Sequence, residues 1–302
     1  MEIDDLHTIL AGAGKNLDAH LVKSLLIVSP NLVYVYDLTE KRFVFISGEA
    51  PSILGYSADE ILAMAGAVNT RLVHPEDLPN LDDHYRQCAE ASDGDLIEVE
   101  YRIKHIYGDW HWLSVRDTPL VLVKREKPRY VLGVAEDISE RRAAQEKVWY
   151  VSTHDQLTGI FNRAYFEAEI ERMEKSRRYP ISILYVDVEG LRSINDQHGQ
   201  PAGDELLRGT AQVLLGAFRA EDVVARLGGD EFAVILPNTG SVSTDAILAR
   251  VKTHLNNHNQ SHRNIPLSLA LGIASVEYGQ SLREAFKNAE GKMYEAKESQ
   301  EK

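Results

Sequence analysis

Alternation of apolar and charged residues predicts an antiparallel sheet in the first half of the chain. Residues 98–104 alternate strictly, which places Val99, Tyr101 and Ile103 on one face, and Gly108-Asp109 then turns the chain back. Other β-prone runs lie at residues 32–37, 42–46, 110–115, 120–123 and 130–134. These runs predict a small sheet of about five strands, with helices inserted after the second strand.

Helical signals separate and follow these strands. Ser57 and Glu60 form a capping box that predicts the start of a short helix, and residues 81–91 are predicted to be helical. Residues 139–148 are good helix formers. Within and after them, Ala144, Val148 and Val151 recur at spacings that suit a short coiled-coil seam, although a plain solvated linker helix explains them equally well.

The pattern changes in the second half. Residues 181–186 form a nearly continuous apolar run, as expected for a central strand buried on both faces. Residues 203–218 are predicted to be a helix, followed by a hairpin, a helix at 244–256, a strand at 267–276 and a final helix at 281–297. The inner side of the first helix is predicted to carry Leu206, Leu207, Ala211, Leu214 and Leu215. Both halves together predict an α+β protein.

Two adjacent acids lie at the tip of the predicted hairpin. Gly228-Gly229 separates two β-prone runs, and glycine accepts the positive φ of a tight turn. Asp230 and Glu231 repel each other there, and a divalent cation would relieve the repulsion. A solvated acidic turn is the simpler interpretation of this stretch by itself.

Other polar residues complete a possible nucleotide site. Asp187 ends the apolar strand, so a neighbouring hairpin would bring Asp230 and Glu231 close to it and create a magnesium site. Gly190 and a loop at residues 195–203 would leave room for phosphates. Asn195 and Asp204 could read the edge of a purine. Alternatively, Asp204 caps the following helix and Asn195 is a turn residue.

Composition narrows the classes of function. The 302 residues suffice for two domains, and 44% hydrophobic with 26% charged residues is typical of a soluble globular protein. A net charge of −13 argues against nucleic acid or an anionic membrane as a partner. The single cysteine, Cys88, excludes an internal disulfide. Without a signal peptide or an apolar stretch of membrane-spanning length, the sequence predicts a cytoplasmic location.

The motifs of the second half occur in a specific order: His154-Asp155-Gln156-Leu157-Thr158-Gly159, Asn162-Arg163, Asp187-Val188-Glu189, Ile194-Asn195-Asp196, Gly203-Asp204 and Gly228-Gly229-Asp230-Glu231-Phe232. This set closely resembles the GGDEF domain of diguanylate cyclases. The resemblance implies a palm-like fold and the condensation of two GTP molecules to cyclic di-GMP and pyrophosphate. It also implies a homodimer in which each domain contributes one GTP, with Mg²⁺ or Mn²⁺ as cofactor.

The resemblance also implies roles for individual residues. Asp187 and Asp230 would hold the metal with the Val188 carbonyl, and Asp230 with Glu231 would activate the ribose 3′-hydroxyl. Guanine would contact Asn195 and Asp204. Arg192 stands where the family usually has lysine and would serve phosphate binding and catalysis, while Lys297 would bind substrate. Glu301 stands where a phosphate-binding arginine is expected.

An Arg-x-x-Asp motif precedes the hairpin. Arg219 and Asp222 lie at the position of the family's inhibitory site, where arginine clamps phosphate or stacks on guanine and aspartate accepts from the base. The resemblance therefore implies feedback inhibition by the product. By itself the motif is also compatible with a weak surface ion pair.

The first half resembles a PAS domain with its PAC segment. The resemblance rests on residues 53–56, His74-Pro75-Glu76-Asp77, the turn at 108–112 and the ending Asp137-Ile138-Ser139-Glu140-Arg141. It implies a sensor module with an unidentified ligand. A haem ligand would need an axial histidine, and the four candidates, His74, His84, His105 and His111, are expected to be surface or turn residues.

The sequence thus predicts a helical extension (1–20), a PAS sensor (21–137), a linker helix (138–153) and a GGDEF domain (154–302). The leading hypothesis is a diguanylate cyclase controlled by its sensor and its product. A catalytically silent GGDEF domain that binds cyclic di-GMP at Arg219 and Asp222 is the main alternative, and a scaffold that uses only PAS dimerisation is a third.

Overall fold

The computed structural model describes residue 26 and residues 28–47, 50–92, 94–120, 128–262 and 265–300. The chain divides into two compact units, Met1–Gln145 and Glu146–Lys302. The helical extension predicted at residues 1–20 lies outside the described residues. Within the described ranges no helix combines the length and apolar character that crossing a bilayer requires.

The first unit is built on a five-stranded antiparallel sheet in the order β2-β1-β5-β4-β3. The strands are β1 (Leu32–Asp37), β2 (Arg42–Ile46), β3 (Ile97–Lys104), β4 (Trp110–Leu120) and β5 (Tyr130–Asp137). The helices between β2 and β3 are α1 (Ala50–Leu54), α2 (Ala58–Ala63), α3 (Val68–Leu72) and α4 (Leu78–Glu90). The predicted strand number and the position of the inserted helices are confirmed.

Local sequence signals explain several of these elements. The Ser57 hydroxyl oxygen accepts from the Glu60 amide, and the Glu60 carboxylate accepts from the Ser57 amide, so the predicted capping box starts α2. Val99, Tyr101 and Ile103 are all buried on β3, as the alternation predicts. The single strand β4 corrects the prediction of separate strands at 110–115 and 120–123; residues 121–123 lie outside the described ones.

The prediction that His84 is a surface or turn residue is wrong. His84 lies in α4 and is 2% exposed. Its burial is compensated by a hydrogen bond, since its Nε2 is 2.8 Å from Oδ2 of the fully buried Asp117 on β4. The Tyr34 hydroxyl donates to the other oxygen of Asp117 at 2.7 Å. Cys88 lies one helical turn from His84 and is equally buried, and burial raises the pKa of its thiol to about 12. A buried carboxylate thus fastens α4 to the sheet.

A helix crosses the boundary between the units. This helix, α5 (Ser139–Thr153), has no buried residue along its length. Val148 and Val151, two positions of the predicted coiled-coil seam, are 69% and 47% exposed. The seam itself stays a prediction.

The second unit has a five-stranded sheet in the order β10-β7-β9-β8-β6, antiparallel except for the short β6–β8 pair. Its strands are β6 (Phe161–Asn162), β7 (Ile181–Val188), β8 (Val223–Gly228), β9 (Glu231–Leu236) and β10 (Leu269–Val276). Its helices are α6 (Arg163–Glu174), α7 (Leu191–His198), α8 (Gln200–Ala217), α9 (Thr244–Ser261) and α10 (Leu282–Gln300). The predicted α+β class is confirmed.

Apolar cores cover both faces of this sheet. Every residue of β7 is buried, as expected for its apolar sequence at the centre of the sheet. Leu184 and Val186 pack with α8 and α9, whereas Ile183 and Tyr185 pack with α6 and α10. Along α8 four of the five predicted inner residues are buried. The fifth, Leu215, is 55% exposed, so the prediction that it lies on the inner side is wrong.

Removing the buried carboxylate should destabilise the first unit. Asp117→Ala would leave the Tyr34 hydroxyl without a partner and the His84 ring with only its 3.7 Å contact to the Cys88 sulfur. Because each orphaned buried polar group costs about 1–3 kcal/mol, we expect the free energy of unfolding to fall by about 2–4 kcal/mol. Urea denaturation followed by the fluorescence of Trp110 and Trp112 measures this change.

Asp82→Ala is the matched control, since Asp82 is an exposed carboxylate on α4. Its effect should stay within about 0.5 kcal/mol. Equal effects of the two substitutions would contradict the role assigned to Asp117.

Candidate functional site

Two glycines shape the turn that carries the acid pair. Gly228 has φ 142° and Gly229 has φ 52°, values that strongly favour glycine. The Arg226 guanidinium donates to the Gly229 carbonyl from Nε (3.1 Å) and Nη2 (2.7 Å), and its Nη1 contacts Asp155 at 3.2 Å. The hairpin tip is therefore held by a side chain from its own β8 strand.

Strand pairing brings three carboxylates to one edge of the sheet. Asp187 on β7 is the register partner of Glu231 on β9, and the Val188 amide donates to the Asp230 carbonyl at 2.9 Å. Asp187 is 6% exposed, while Asp230 and Glu231 are half-buried. The predicted metal residues are thus neighbours in space, although Asp187 and Asp230 are far apart in sequence.

The carboxylate cluster already attracts a cation from the protein itself. Lys297 on α10 donates from Nζ to Asp187 Oδ1 at 2.6 Å. This hydrogen bond, with the negative charges of Asp187, Asp230 and Glu189, raises the pKa of Lys297. Carboxylate and carbonyl oxygens are the donors that Mg²⁺ prefers, so the residues present fit a divalent cation. The ammonium and such a cation would compete for Asp187.

Tyr185 is a site residue that sequence reasoning missed. It precedes Asp187 by two positions on β7 and therefore points to the same face of the sheet. Burial, together with the nearby Glu231 carboxylate, raises the pKa of its hydroxyl, which therefore stays protonated beside that carboxylate. The period of two along the strand was the available signal.

Asn195 carries a buried acceptor that lacks a partner. Its Oδ1 is buried and, among the described residues, has no hydrogen-bond donor. A Cβ at Gly203 would lie 2.1 Å from this oxygen, so glycine is required there for close approach. An unpartnered buried acceptor costs about 1–3 kcal/mol, and a ligand that donates to it would recover that cost.

The helices around Asn195 correct three sequence predictions. Residues 195–203 do not form a loop, because α7 ends at His198 and α8 begins at Gln200. Asn195 lies within α7 and is not a turn residue. Asp204 is the fifth residue of α8, which begins after Gly199, so it does not cap that helix.

Arg192 and Glu301 are the two positions at which the sequence departs from the family's pattern. Arg192 lies in the first turn of α7, and its side chain is exposed. Glu301 lies outside the described residues.

Arg219 and Asp222 border a groove of about 310 Å³ together with Arg250. The Asp222 carboxylate accepts from the Arg219 amide at 2.8 Å, and burial raises the pKa of Asp222. The exposed Arg219 guanidinium lies 3.6 Å from Glu221, so the motif is not an Arg219–Asp222 ion pair. Its guanidinium is available at the rim of the groove.

Comparison with family models identifies both units. The model described as diguanylate cyclase, GGDEF domain, matches residues 152–302, which is half of the chain. The chain therefore belongs to the GGDEF family. A model described as PAS fold matches residues 43–135, so a PAS domain precedes the GGDEF domain, as the motifs predicted.

Individual relatives show the same similarity. The probable diguanylate cyclase DgcE of Escherichia coli is 27% identical over 72% of this chain, and cyclic di-GMP phosphodiesterase PdeR of the same organism is 32% identical over 54%. The chain spans only 20% and 25% of these two relatives. The coiled coil and GGDEF domain of DgcB from Caulobacter crescentus, solved with c-di-GMP, is 22% identical, with a TM-score of 0.49 over 54% of this chain and 89% of that one.

Lys297→Met tests the competition for Asp187. Without the ammonium, we expect the nucleotide-free protein to bind Mn²⁺ about five- to tenfold more tightly, because a partly exposed ion pair of about 1 kcal/mol no longer opposes the metal. Electron paramagnetic resonance of free Mn²⁺ measures the affinity.

Lys292→Met is the control. Lys292 lies on the same helix, but its Nζ donates to the Ile273 carbonyl at 2.9 Å. Unchanged or weaker Mn²⁺ binding by Lys297→Met would show that the ammonium does not compete with the metal.

Proposed function

We propose that this protein is a diguanylate cyclase that condenses two GTP molecules to cyclic di-GMP and pyrophosphate. The observation that carries the proposal is the pairing of two features in one unit. A carboxylate cluster suited to a divalent cation lies at the sheet edge, and the buried Asn195 oxygen lacks a donor among the described residues. A guanine nucleotide supplies both the missing donor and the triphosphate that a metal would bridge.

Asn195 and Asp204 would recognise guanine by accepting its hydrogen bonds. Guanine presents N–H donors at N1 and N2, whereas the corresponding edge of adenine offers an acceptor at N1. The Asn195 oxygen can only accept, and an ionised Asp204 likewise only accepts. Two acceptors therefore favour GTP over ATP, because ATP would leave the Asn195 oxygen unpaired.

Asp187, Asp230 and the Val188 carbonyl would hold Mg²⁺ or Mn²⁺. When bound, the metal neutralises triphosphate charge and makes a coordinated hydroxyl more acidic. Arg192 and Lys297 would contact phosphate oxygens, which requires Lys297 to leave Asp187.

The acid pair, Asp230 and Glu231, would act as the base of the reaction. Asp230 and Glu231 would draw the proton from the ribose 3′-hydroxyl of one GTP, and the resulting oxygen would attack the α-phosphorus of the other. The bond to the β-phosphate oxygen breaks, and pyrophosphate leaves; the reciprocal attack by the 3′-oxygen of the second GTP closes the ring and releases a second pyrophosphate. The protonated Tyr185 hydroxyl beside Glu231 would help to keep that carboxylate in position. Because one domain holds one GTP, the reaction requires a homodimer.

Regulation and location complete the proposal. The PAS domain would act as the sensor through a ligand not yet identified, and α5 would connect it to the GGDEF domain. The substrate and product imply a cytoplasmic location, without nucleic acid or membrane as a partner of this chain.

A direct assay tests the activity. The purified chain is incubated with GTP and Mg²⁺, and the nucleotides are separated by chromatography. We expect cyclic di-GMP from the unaltered chain and a loss of at least about 100-fold in Asp230→Ala, which removes a metal ligand and part of the acid pair.

Asp245→Ala, an exposed acid in the first turn of α9, should retain activity. Absence of cyclic di-GMP at high protein concentration would overturn the proposal. If the same protein then bound added cyclic di-GMP, it would be a receptor; the groove beside Arg219 is the observation that favours this second function.

Product inhibition can be tested at the same groove. Arg219→Ala should abolish inhibition by added cyclic di-GMP and leave the initial rate unchanged, because the guanidinium would clamp the product's phosphate. Initial rates at increasing product concentration measure the effect. Arg283→Ala, another exposed arginine that pairs with Glu171, should remain inhibited. Inhibition that persists in Arg219→Ala would refute the inhibitory role of this residue.

A further inference from the structure

A second group of metal-ligating side chains lies in the PAS domain, at the hairpin between β3 and β4. His105, Asp109 and His111 each offer a ligand atom, and these atoms all lie within 4.8 Å of one another. The hairpin backbone is fixed, since the His105 amide donates to the Asp109 carbonyl and the Gly108 amide donates to the His105 carbonyl, both at 2.9 Å.

The surroundings of His111 orient its ring. Nδ1 lies 2.8 Å from Asp137 Oδ2, and Nε2 lies 3.1 Å from Asp109 Oδ2. A ring nitrogen held by a carboxylate, with the other nitrogen directed at a ligand group, is the usual arrangement of a metal-binding histidine. Asp137 is itself fixed, because its Oδ1 accepts from the Ser139 amide at 2.8 Å.

We propose that His105, Asp109 and His111 bind a first-row transition-metal dication of the Zn²⁺ type, with Asp137 as a positioning residue. Two imidazoles and one carboxylate form a donor set for such ions, with water in the remaining positions. Zn–N and Zn–O bonds of about 2.0–2.2 Å place two donors at most about 4.4 Å apart, so only a small side-chain rotation is needed.

His105 is the side chain that would rotate to complete the site. Its Nδ1 accepts a hydrogen bond of 3.3 Å from the Tyr107 amide, and its ring stacks on that of His111 with the ring centres 4.9 Å apart. The surface is accessible, since Asp109 is exposed and both histidines are half-buried. Water can therefore complete the coordination.

The site is linked to the start of the linker helix. Asp137 joins His111 to Ser139, the first residue of α5, and the Ser139 hydroxyl accepts from the Trp112 amide at 2.8 Å. One turn further, the Arg142 guanidinium lies 3.9 Å from the centre of the Trp112 ring. A metal bound to His111 would thus act on the residues that fasten α5 to β4, which makes the metal a candidate input of the sensor.

The experiment must exclude a competing chelator. His254 and His258 lie on α9 and His262 directly follows its last residue, so the three recur every four residues, and the rings of the last two are stacked at 4.1 Å. All titrations therefore use the full chain carrying His258→Gln and His262→Gln. Co²⁺ is added to the metal-free protein, its visible absorption is recorded, and Zn²⁺ is then used to displace it.

With excess Mg²⁺ present to occupy the carboxylate cluster at Asp187 and Asp230, we expect one Co²⁺ per chain, displaced by Zn²⁺, and an affinity at least about 100-fold lower in His111→Gln. Asp109→Asn should also weaken binding. Asp137→Asn should lower affinity about 10- to 100-fold, with recovery in Asp137→Glu, a pattern that a purely structural role would not produce. His74→Gln is the control, because His74 contacts Trp110 at the same end of the sheet but lies outside the cluster.

Circular dichroism confirms that each variant is folded. No saturable Co²⁺ binding, or binding unaffected by both His111→Gln and Asp109→Asn, would overturn the proposal and leave the cluster as a hydrogen-bonded clasp of the hairpin. The outcome is independent of GTP turnover, because these titrations contain no nucleotide.

Discussion

The pairing of β7 with β9 is the constraint on which the candidate active site depends. Asp187 and Glu231 are register partners, and the Val188 amide binds the Asp230 carbonyl, so backbone hydrogen bonds set the spacing of the acids. A shift of one residue in the pairing of β7 with β9 would turn Asp187 to the opposite face of the sheet. Its carboxylate would then lie away from Lys297. Apolar packing on both faces of β7 makes such a shift costly.

Charge balance at this edge explains why the site can exist before a ligand binds. Three carboxylates close together repel one another, and the Lys297 ammonium offsets part of that repulsion. In the proposed function, the same ammonium would bind a phosphate oxygen once a metal had taken its place. The Asn195 oxygen shows the opposite arrangement, since it has no partner in the described part of the chain. The acidic edge is thus partly neutralised by the protein itself, whereas the Asn195 oxygen still lacks a donor among the described residues.

Buried polar groups also organise the PAS domain. Asp117 joins β4 to Tyr34 and His84 within the core, whereas Asp137 joins β5 to His111 and the first turn of α5 near the surface. The first carboxylate fixes the packing of α4 on the sheet. The second connects an accessible hairpin to the helix that leaves the domain. If the PAS domain acts as the proposed sensor, the first carboxylate would stabilise its framework and the second would connect it to α5.

The sequence by itself determined the element types, the α+β class, both families and the acid pair on its glycine turn. These follow from local periodicity, from glycine's freedom at positive φ and from motif order. Tertiary structure decided what depends on distant contacts: the burial of His84, the role of Tyr185, the Lys297–Asp187 pair and the unpartnered Asn195 oxygen. It also replaced the predicted 195–203 loop with two helices. The burial of His84, the Lys297–Asp187 pair and the buried Asn195 oxygen arise from strand register and helix packing between residues far apart in the chain, which no local pattern encodes.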